Sequence, residues 1–355
     1  MPTPTAQFAD DAIALLRQLI ETQSFSREEA GTADLLEAFL RQHGVAPHRA
    51  GNNVWAVSKT WDEAKPTLLL NSHHDTVKPG PSWTYPPFVA TLEGDRLTGL
   101  GSNDAGASAV SLLAVFRHFY DQPTAFNLIC AITAEEEVSG AGGVRSILPE
   151  LGKIDLGIVG EPTGMNAAVA EKGLLVLDGV ARGRTGHAAR NEGDNALYKA
   201  LDDIAWLRSY QFPEVSELLG PVKLTVTQIS AGTQHNVVPD ECRYVVDVRP
   251  TECYSNEEIL ATIRAHVQAE ITPRSTHLQS SGLPLGHPLV QKAVAMGKTT
   301  YGSPTLSDQA LMRFPTLKMG PGDSARSHAP DEYILLSEIR AGIADYIALL
   351  TDFTF

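Results

Sequence analysis

The chain has 355 residues, 43% of them hydrophobic, which is enough for a substantial core and favours two domains. Its 28 basic and 42 acidic side chains give a net charge of −14, which argues against nucleic acid or an anionic membrane surface as a partner. The three cysteines form no CxxC pair, so neither a disulfide framework nor a thiolate zinc site is indicated. Since no run reaches the length of a membrane span and the N-terminal stretch does not resemble a signal peptide, we expect a cytoplasmic protein.

The first part of the chain alternates helix and strand patterns. Apolar residues at helical spacing predict amphipathic helices over 10–23 and 34–43. Strands are predicted over 54–58 and 67–71, and a helix rich in small residues begins near Ala105. This alternation is typical of an α/β domain with a largely parallel sheet.

The pattern changes in the middle of the chain and then returns. Three strand patterns and two helix patterns between 174 and 269 predict a smaller, separate α+β domain. A linker over 281–286 leads back to a helix at 288–298, a strand at 316–319 and a last helix at 337–350. We therefore predict a discontinuous catalytic domain of residues 1–172 and 282–355, with residues 173–281 inserted as the second domain.

Three apolar runs end in side chains of the kind that bind metals. Residues 68–70 lead to His73, residues 128–134 lead to three consecutive glutamates, and residues 156–160 lead to Glu161. Apolar runs of this length predict buried strands of a largely parallel sheet. Because ligands bind outside the carboxyl ends of such strands, the three runs predict a polar site at one sheet edge.

His73 and Asp75 lie two residues apart, so a strand would point both side chains the same way. A metal-bound imidazole usually has a carboxylate on its other ring nitrogen, and Asp75 is either that partner or a ligand itself. The alternative is a hydrogen-bonded cluster at a strand end without a metal.

Three further candidates have equally ordinary explanations when taken singly. Asp104 follows a glycine-rich turn and is also a plausible N-cap of the next helix. Glu161 precedes Pro162 and is consistent with a simple turn. His328 lies in a polar loop, where a histidine is usually just exposed to solvent.

The run Glu135–Glu137 is the sharpest local feature, because it follows a buried strand directly. Clustered carboxylates at such a position are unfavourable unless cations or protons offset their charge. One glutamate is then able to bind a metal while its neighbour takes a proton from water. His73, Asp104, Glu136, Glu161 and His328 are the five candidate ligands and Glu135 the candidate base; this set without a thiolate suits zinc, cobalt or manganese.

These motifs resemble, in order along almost the whole chain, those of the M20 family of co-catalytic metallopeptidases and deacylases: His73-His74-Asp75, Asp104, Glu135-Glu136, Glu161-Pro162-Thr163 and His328. The resemblance implies a co-catalytic zinc aminopeptidase-like α/β domain with a mixed, largely parallel sheet. It also implies two Zn²⁺ (or Co²⁺ or Mn²⁺), one held by His73, Asp104 and Glu161 and one by Asp104, Glu136 and His328. Asp75 would stand behind His73, and Glu135 would be the general base.

The same resemblance implies that the inserted α+β domain is a lid through which two copies form a homodimer. Gly186-His187 resembles a family motif whose imidazole reaches a neighbouring active site and stabilises the oxyanion. Asn236 and Arg249 match positions that contact substrate. Arg249 would clamp an α-carboxylate, and an ordinary ion pair at a strand end is the alternative.

Within the family, residues 99–108 are most similar to the acetylornithine deacetylase branch. This similarity implies a small-molecule substrate, an N-acyl amino acid that loses its acetyl or succinyl group, with N2-acetylornithine expected first. The alternatives are a succinyl-diaminopimelate desuccinylase, a dipeptidase or carboxypeptidase and, more remotely, a metal-binding relative without catalytic activity.

Overall fold

The computed structural model describes residues 4–355, which form two compact units. The first comprises residues 4–169, 282–301 and 307–355, and the second comprises residues 170–281 and 302–306. The domain boundaries predicted from the sequence placed residues 170–172 and 302–306 in the first domain instead. The difference has a local cause, because the Lys172 N–H donates to the Ser303 carbonyl (3.3 Å) and ties these two segments together.

In chain order, the part of the first unit before the insertion contains α1 (Pro4–Ile20), α2 (Ala30–Gln42), β1 (His48–Ala50), β2 (Asn53–Val57), β3 (Thr67–His73), β4 (Thr91–Glu93), β5 (Arg96–Thr98), α3 (Ala107–Phe119), β6 (Asn127–Thr133), α4 (Val144–Leu151), β7 (Leu156–Val159) and β8 (Ala167–Glu171). The second unit adds β9 (Leu175–Arg182), α5 (Ala196–Ser209), β10 (Lys223–Ala231), β11 (Glu241–Arg249), α6 (Asn256–His266) and β12 (Glu270–Pro273), and β13 (Ser281–Gly282) follows at the boundary between the units. The chain ends with α7 (Pro288–Ala295), β14 (Thr300–Ser303), β15 (Thr316–Lys318), β16 (Tyr333–Leu335) and α8 (Leu336–Leu350). None of the helices within residues 4–355 is both long and apolar enough to cross a bilayer.

The main sheet has nine strands in the order β1-β2-β6-β3-β7-β15-β8-β13, and β14 also pairs with β8. The central pairs β6–β3, β3–β7 and β7–β15 are parallel, and the flanking pairs β1–β2, β2–β6 and β15–β8 are antiparallel. This mixed sheet confirms the predicted α/β fold class.

The central strands are buried on both faces, which explains why their sequences are continuous apolar runs. All seven residues of β3 and of β6 are buried. Leu68 and Leu70 belong to one core cluster with residues of α1, α3 and α8, while Leu69 belongs to a second cluster with Val144 and Ile147 of α4. Helices therefore cover the two faces of the sheet and leave its edges for polar groups.

A three-stranded antiparallel sheet, β16-β5-β4, was not predicted. Each of its strands has three residues, which is too short for a periodic pattern to show. The sheet has a clear structural role, because the Gly99 N–H continues it by donating to the Glu332 carbonyl (3.0 Å). It thereby holds the loop after β15 against the turn before α3.

The second unit is an antiparallel sheet of order β10-β11-β9-β12 with α5 and α6 packed against it, as the α+β prediction required. Residues along β9 alternate between buried and less buried, as expected for a sheet with one face in the core. The core of this unit is separate from that of the first and includes Leu177, Tyr244, Val246 and Ile259.

Candidate metal centre

Three parallel strands of the main sheet end at the same edge. His73 at the end of β3 pairs with Thr133 at the end of β6, and Asn71 pairs with Val159 at the end of β7. The glutamates after β6 and Glu161 after β7 therefore emerge beside His73. The arrangement of strand ends that the apolar runs predicted is confirmed.

His73 lies at the centre of this edge, and its side chain is 1% exposed. Its Nε2 is 3.3 Å from Asp104 Oδ1, 3.7 Å from Glu161 Oε1 and 3.8 Å from Glu136 Oε2. None of these contacts has hydrogen-bond geometry, and Nε2 has no hydrogen-bond partner among the described residues 4–355. A buried nitrogen without a partner, faced by three carboxylates, fits a position for a cation.

The carboxylates around His73 are electrostatically unfavourable as they stand. Burial raises the pKa of Glu161 to about 8, and the charge on Asp104 adds to the rise although His73 opposes it. Burial also raises the pKa of Glu136 well above its usual range, with further contributions from Glu161 and Glu137. Protons or a divalent cation would remove this repulsion.

A second group of ligand atoms lies on the other side of Asp104. His328 Nε2 is 2.9 Å and 3.1 Å from the two carboxylate oxygens of Glu137 and 3.4 Å from Asp104 Oδ2. Hydrogen bonding to Glu137 raises the pKa of His328 to about 9, although partial burial acts in the opposite direction. Asp104 therefore presents Oδ1 to His73 and Oδ2 to His328, as a carboxylate shared by two cations would.

The side chains of the three glutamates after β6 face different neighbours from those predicted. Glu136 faces His73 and Glu137 faces His328, whereas the Glu135 carboxylate accepts the Gly142 N–H (3.3 Å) and lies 3.8 Å from Arg27. A Cβ atom at Gly140 would lie only 1.9 Å from Glu135 Oε2, so this turn encloses the Glu135 side chain closely. The prediction made Glu136 the ligand beside His328 and Glu135 the base. In the structure the glutamate beside His328 is Glu137, one residue further along the chain, and the glutamate before it is Glu136.

The cause of this departure is local. Glu135 has a left-handed backbone (φ 57°), and a 3₁₀ turn over Glu136–Val138 follows at once. Strand alternation therefore ends before the glutamates, and it does not determine which of them face the sheet edge. The sequence does not indicate that Glu137 faces His328, because three identical residues in a row allow two registers that the sequence does not distinguish.

Asp75 positions several of these groups together. Its carboxylate accepts hydrogen bonds from the Ser26 hydroxyl (2.7 Å), the Glu136 N–H (3.0 Å) and the Glu137 N–H (3.1 Å), and Oδ1 lies 3.4 Å from His73 Nδ1. Burial favours the neutral acid, but contacts with His73 and these donors lower the pKa of Asp75 to about 2. Asp75 is therefore a charged anchor behind His73 and beneath the turn of Glu136 and Glu137.

Asp104 is held by a carboxylate that the sequence analysis did not single out. Glu332 is 2% exposed and accepts the N–H groups of Gly101 (3.1 Å), Asn103 (2.8 Å) and Asp104 (2.8 Å). Glu332 lies four residues after His328, so one short segment carries a candidate ligand and also fixes the turn that carries Asp104. Side-chain contacts to backbone N–H groups leave no periodic signal in a sequence, which is why this residue was missed.

The three remaining predicted residues belong to the second unit. His187 is exposed and its Nδ1 accepts the Ala189 N–H (3.1 Å), while the Asn236 carbonyl accepts the Ala188 N–H (3.0 Å), so His187 and Asn236 lie on neighbouring segments. Arg249 makes two hydrogen bonds to Asp247 (2.9 and 3.1 Å), which is the ion pair considered as the alternative. Their predicted roles in substrate binding and oxyanion stabilisation stay predictions.

Comparison with known proteins identifies the family. The model of peptidase family M20/M25/M40 matches residues 69–352, so the chain belongs to this family and is a metal-dependent hydrolase. It is 26% identical to succinyl-diaminopimelate desuccinylase 2 of Ruegeria sp. (strain TM1040), covering 99% of this chain and 98% of the relative. It is 29% identical to the succinyl-diaminopimelate desuccinylase of Dinoroseobacter shibae, covering 97% and 99%.

A solved structure agrees with the fold. The Bacillus subtilis YXEP protein, described as a dinuclear metal binding peptidase from the M20 family, has a TM-score of 0.73 at 16% identity and covers 97% of this chain and 98% of its own. Both curated relatives are named as desuccinylases, the enzyme that the sequence analysis gave as the alternative to acetylornithine deacetylase. The comparisons therefore establish the family but not the acetylornithine deacetylase branch.

We expect Glu332→Gln to weaken metal binding, because the new amide N–H₂ would face a backbone N–H and disturb the turn that carries Asp104. Loss of such a supporting contact lowers metal affinity by about 10- to 100-fold. The measurement is zinc affinity in competition with a chromophoric chelator. Asp331→Asn is the matched control, since Asp331 is next in sequence but bonds to Thr84 and Tyr85; equal affinities for Glu332→Gln and wild type would contradict the role.

Proposed function

We propose that the chain hydrolyses the amide bond of an N-acyl amino acid with a pair of divalent metal ions. The observation that carries the proposal is the position of Asp104, whose two carboxylate oxygens face two imidazoles, His73 at 3.3 Å and His328 at 3.4 Å. Each imidazole has a further carboxylate nearby, Glu161 or Glu137. Two adjacent sets of nitrogen and oxygen donors, with Asp104 shared, match what two such ions require.

In this proposal His73 and Glu161 would hold one ion, His328 and Glu137 would hold the other, and Asp104 would be shared between them. Imidazole and carboxylate ligands without thiolate suit zinc, cobalt or manganese. When bound, a metal pair of this kind polarises the substrate carbonyl and makes water a better nucleophile near neutral pH. The protein supplies the rigid frame, since Asp75 and Glu332 fix the segments that carry these ligands.

Glu136 is then the proposed general base. It is the carboxylate of the cluster that the two ligand sets do not use, and its side chain is 12% exposed. In the cluster without metal, burial raises the pKa of Glu136 well above its usual range, and bound cations would favour the carboxylate form that takes a proton from water. The same oxygen is then in a position to return that proton to the nitrogen of the departing amino acid.

The acyl group and the amino acid are proposed from the relatives. Because two relatives covering nearly the whole chain are named succinyl-diaminopimelate desuccinylases, we propose N-succinyl-diaminopimelate as the first candidate substrate. N2-acetylornithine, expected from residues 99–108, is the second. A homodimer formed through the second unit, with His187 stabilising the oxyanion of a neighbouring site, remains part of the proposal and rests on the family resemblance alone.

The substrate proposal is tested by rates of amine release from a panel of N-succinyl-diaminopimelate, N-succinylornithine, N2-acetylornithine, N-acetylcitrulline and dipeptides, with zinc-loaded protein. We expect the highest kcat/KM on an N-succinyl amino acid. Faster turnover of N2-acetylornithine would overturn the choice of acyl group, and hydrolysis of dipeptides alone would overturn the choice of substrate class. A zinc-replete protein inert on the whole panel would contradict the hydrolase proposal itself.

The division of roles among the glutamates gives a second prediction. Glu136→Gln should lower kcat by about 10²- to 10⁴-fold, the usual contribution of a general base, while the protein keeps its bound metal. Glu135→Gln is the matched control, because its carboxylate contacts Gly142 and Arg27 and none of the candidate ligands. Its loss should be within about tenfold, the effect of weakening one ordinary hydrogen bond, because the glutamine oxygen still accepts the Gly142 N–H. If Glu135→Gln were the inactive variant with metal retained, Glu135 would be the base, as the sequence predicted, and the assignment of Glu136 would be wrong.

A further inference from the structure

Arg27 is a cation that lies beside Glu135. Its backbone conformation is unfavourable for an arginine. It lies in the segment between α1 and α2 and has φ 76°, in the left-handed region that favours glycine. An arginine at such a position costs free energy that glycine would not. A strained residue held in place near a reactive site points to a use for its side chain.

Buried contacts fix this segment against the metal centre on both sides of Arg27. The preceding residue, Ser26, donates its hydroxyl to Asp75 (2.7 Å). The carboxylate of Glu29, which is fully buried, accepts the Arg27 N–H (2.5 Å) and also the Glu135 N–H (3.2 Å). The backbone of Arg27 is therefore tied to the same turn that carries Glu136.

The guanidinium itself remains available. The Arg27 side chain is 71% exposed, and its Nε lies 3.8 Å from Glu135 Oε2, a distance beyond that of a hydrogen bond. No hydrogen bond from this side chain to another described residue is seen, whereas the Glu135 carboxylate also accepts the Gly142 N–H. The group is thus an exposed cation at a fixed backbone position, and it lies beside Glu135, the residue that precedes the proposed base.

The charges around Arg27 make its guanidinium suitable for binding an anion. His73, His328 and the carboxylates around them are proposed to be occupied with metal, so a substrate carboxylate needs a separate positive group. A guanidinium matches a carboxylate because its N–H groups donate in parallel to the two oxygens. The charged side chains that contact Arg27 or follow it in sequence, Glu28, Glu29 and Glu135, are acidic and do not bind a carboxylate.

We propose that Arg27 binds a carboxylate of the substrate and thereby selects for anionic N-acyl amino acids. This inference rests on the proposed function. The carboxylate is either that of a succinyl group or that of the amino acid, and the chemistry of recognition is the same for both. The two sources are separated by the choice of substrates in the test.

The test uses full-length, zinc-loaded protein and three derivatives of the amino acid that the panel above selects: the N-succinyl acid, the N-acetyl acid and the N-acetyl amide. The variants are Arg27→Gly and Arg27→Lys. Arg41→Gln is the control for loss of one positive charge, because Arg41 is also exposed but pairs with Glu37 on α2. Kinetic constants and Tm are measured for each protein.

We expect Arg27→Gly to raise KM by about tenfold, the value of one charge-assisted hydrogen bond, with little change in kcat. If the rise is confined to the N-succinyl acid, Arg27 binds the acyl carboxylate; if it extends to the N-acetyl acid but not to the amide, Arg27 binds the carboxylate of the amino acid. The Tm should not fall, since glycine relieves the left-handed strain. Arg27→Lys should retain part of the wild-type preference for derivatives that carry the recognised carboxylate, and Arg41→Gln should retain all of it.

An unchanged KM on all three derivatives, or an equal loss on all three including the amide, would overturn the inference. A marked fall in Tm for Arg27→Gly would likewise assign Arg27 a structural role. These outcomes are distinct from failure of the proposed function, in which wild-type protein would cleave none of the N-acyl substrates. The Tm comparison with Arg27→Lys, which keeps the strain and the charge, separates effects of folding from effects of binding.

Discussion

The structure of the site depends on one buried imidazole that is surrounded by negative charge. His73 is almost completely excluded from solvent, and its Nε2 faces Asp104, Glu136 and Glu161 without a hydrogen bond among residues 4–355. Burying carboxylates side by side costs several kcal/mol per ion unless opposite charge accompanies them. The free energy of this arrangement is therefore favourable only when cations or protons are shared among the groups. The unpartnered Nε2 of His73 and membership of the M20 family favour metal cations.

Buried carboxylates that bind backbone N–H groups hold this cluster in place. Asp75 receives the N–H groups of Glu136 and Glu137, Glu332 receives those of the turn that carries Asp104, and Glu29 receives that of Glu135. Each carboxylate joins two segments that are far apart in sequence, so strand ends and loops are fixed relative to one another. The contact with Glu29 also fixes the backbone of Arg27, whose exposed guanidinium lies 3.8 Å from Glu135, and this links the proposed chemistry to the proposed selectivity.

The fold and much of the site were predictable because they follow from patterns that extend over many residues. Continuous apolar runs predicted the buried strands, and their ends brought His73 and Glu161 to one edge near Asp104. The assignment among Glu135, Glu136 and Glu137 was not predictable, because the left-handed backbone of Glu135 ends the strand alternation on which a register depends. Glu332 and Arg27 were missed for a related reason: their positions are set by contacts with backbone groups and by a single φ angle, and neither produces a periodic signal.

The most direct test of the metal centre is anomalous diffraction from crystals of the zinc-loaded protein, recorded on both sides of the zinc absorption edge. The account predicts two zinc peaks that share Asp104, with His73 and Glu161 at one and His328 and Glu137 at the other, and with the carboxylate of Glu136 outside both coordination shells. A single zinc peak, or a pair in which Glu136 takes the place of Glu137 beside His328, would contradict it.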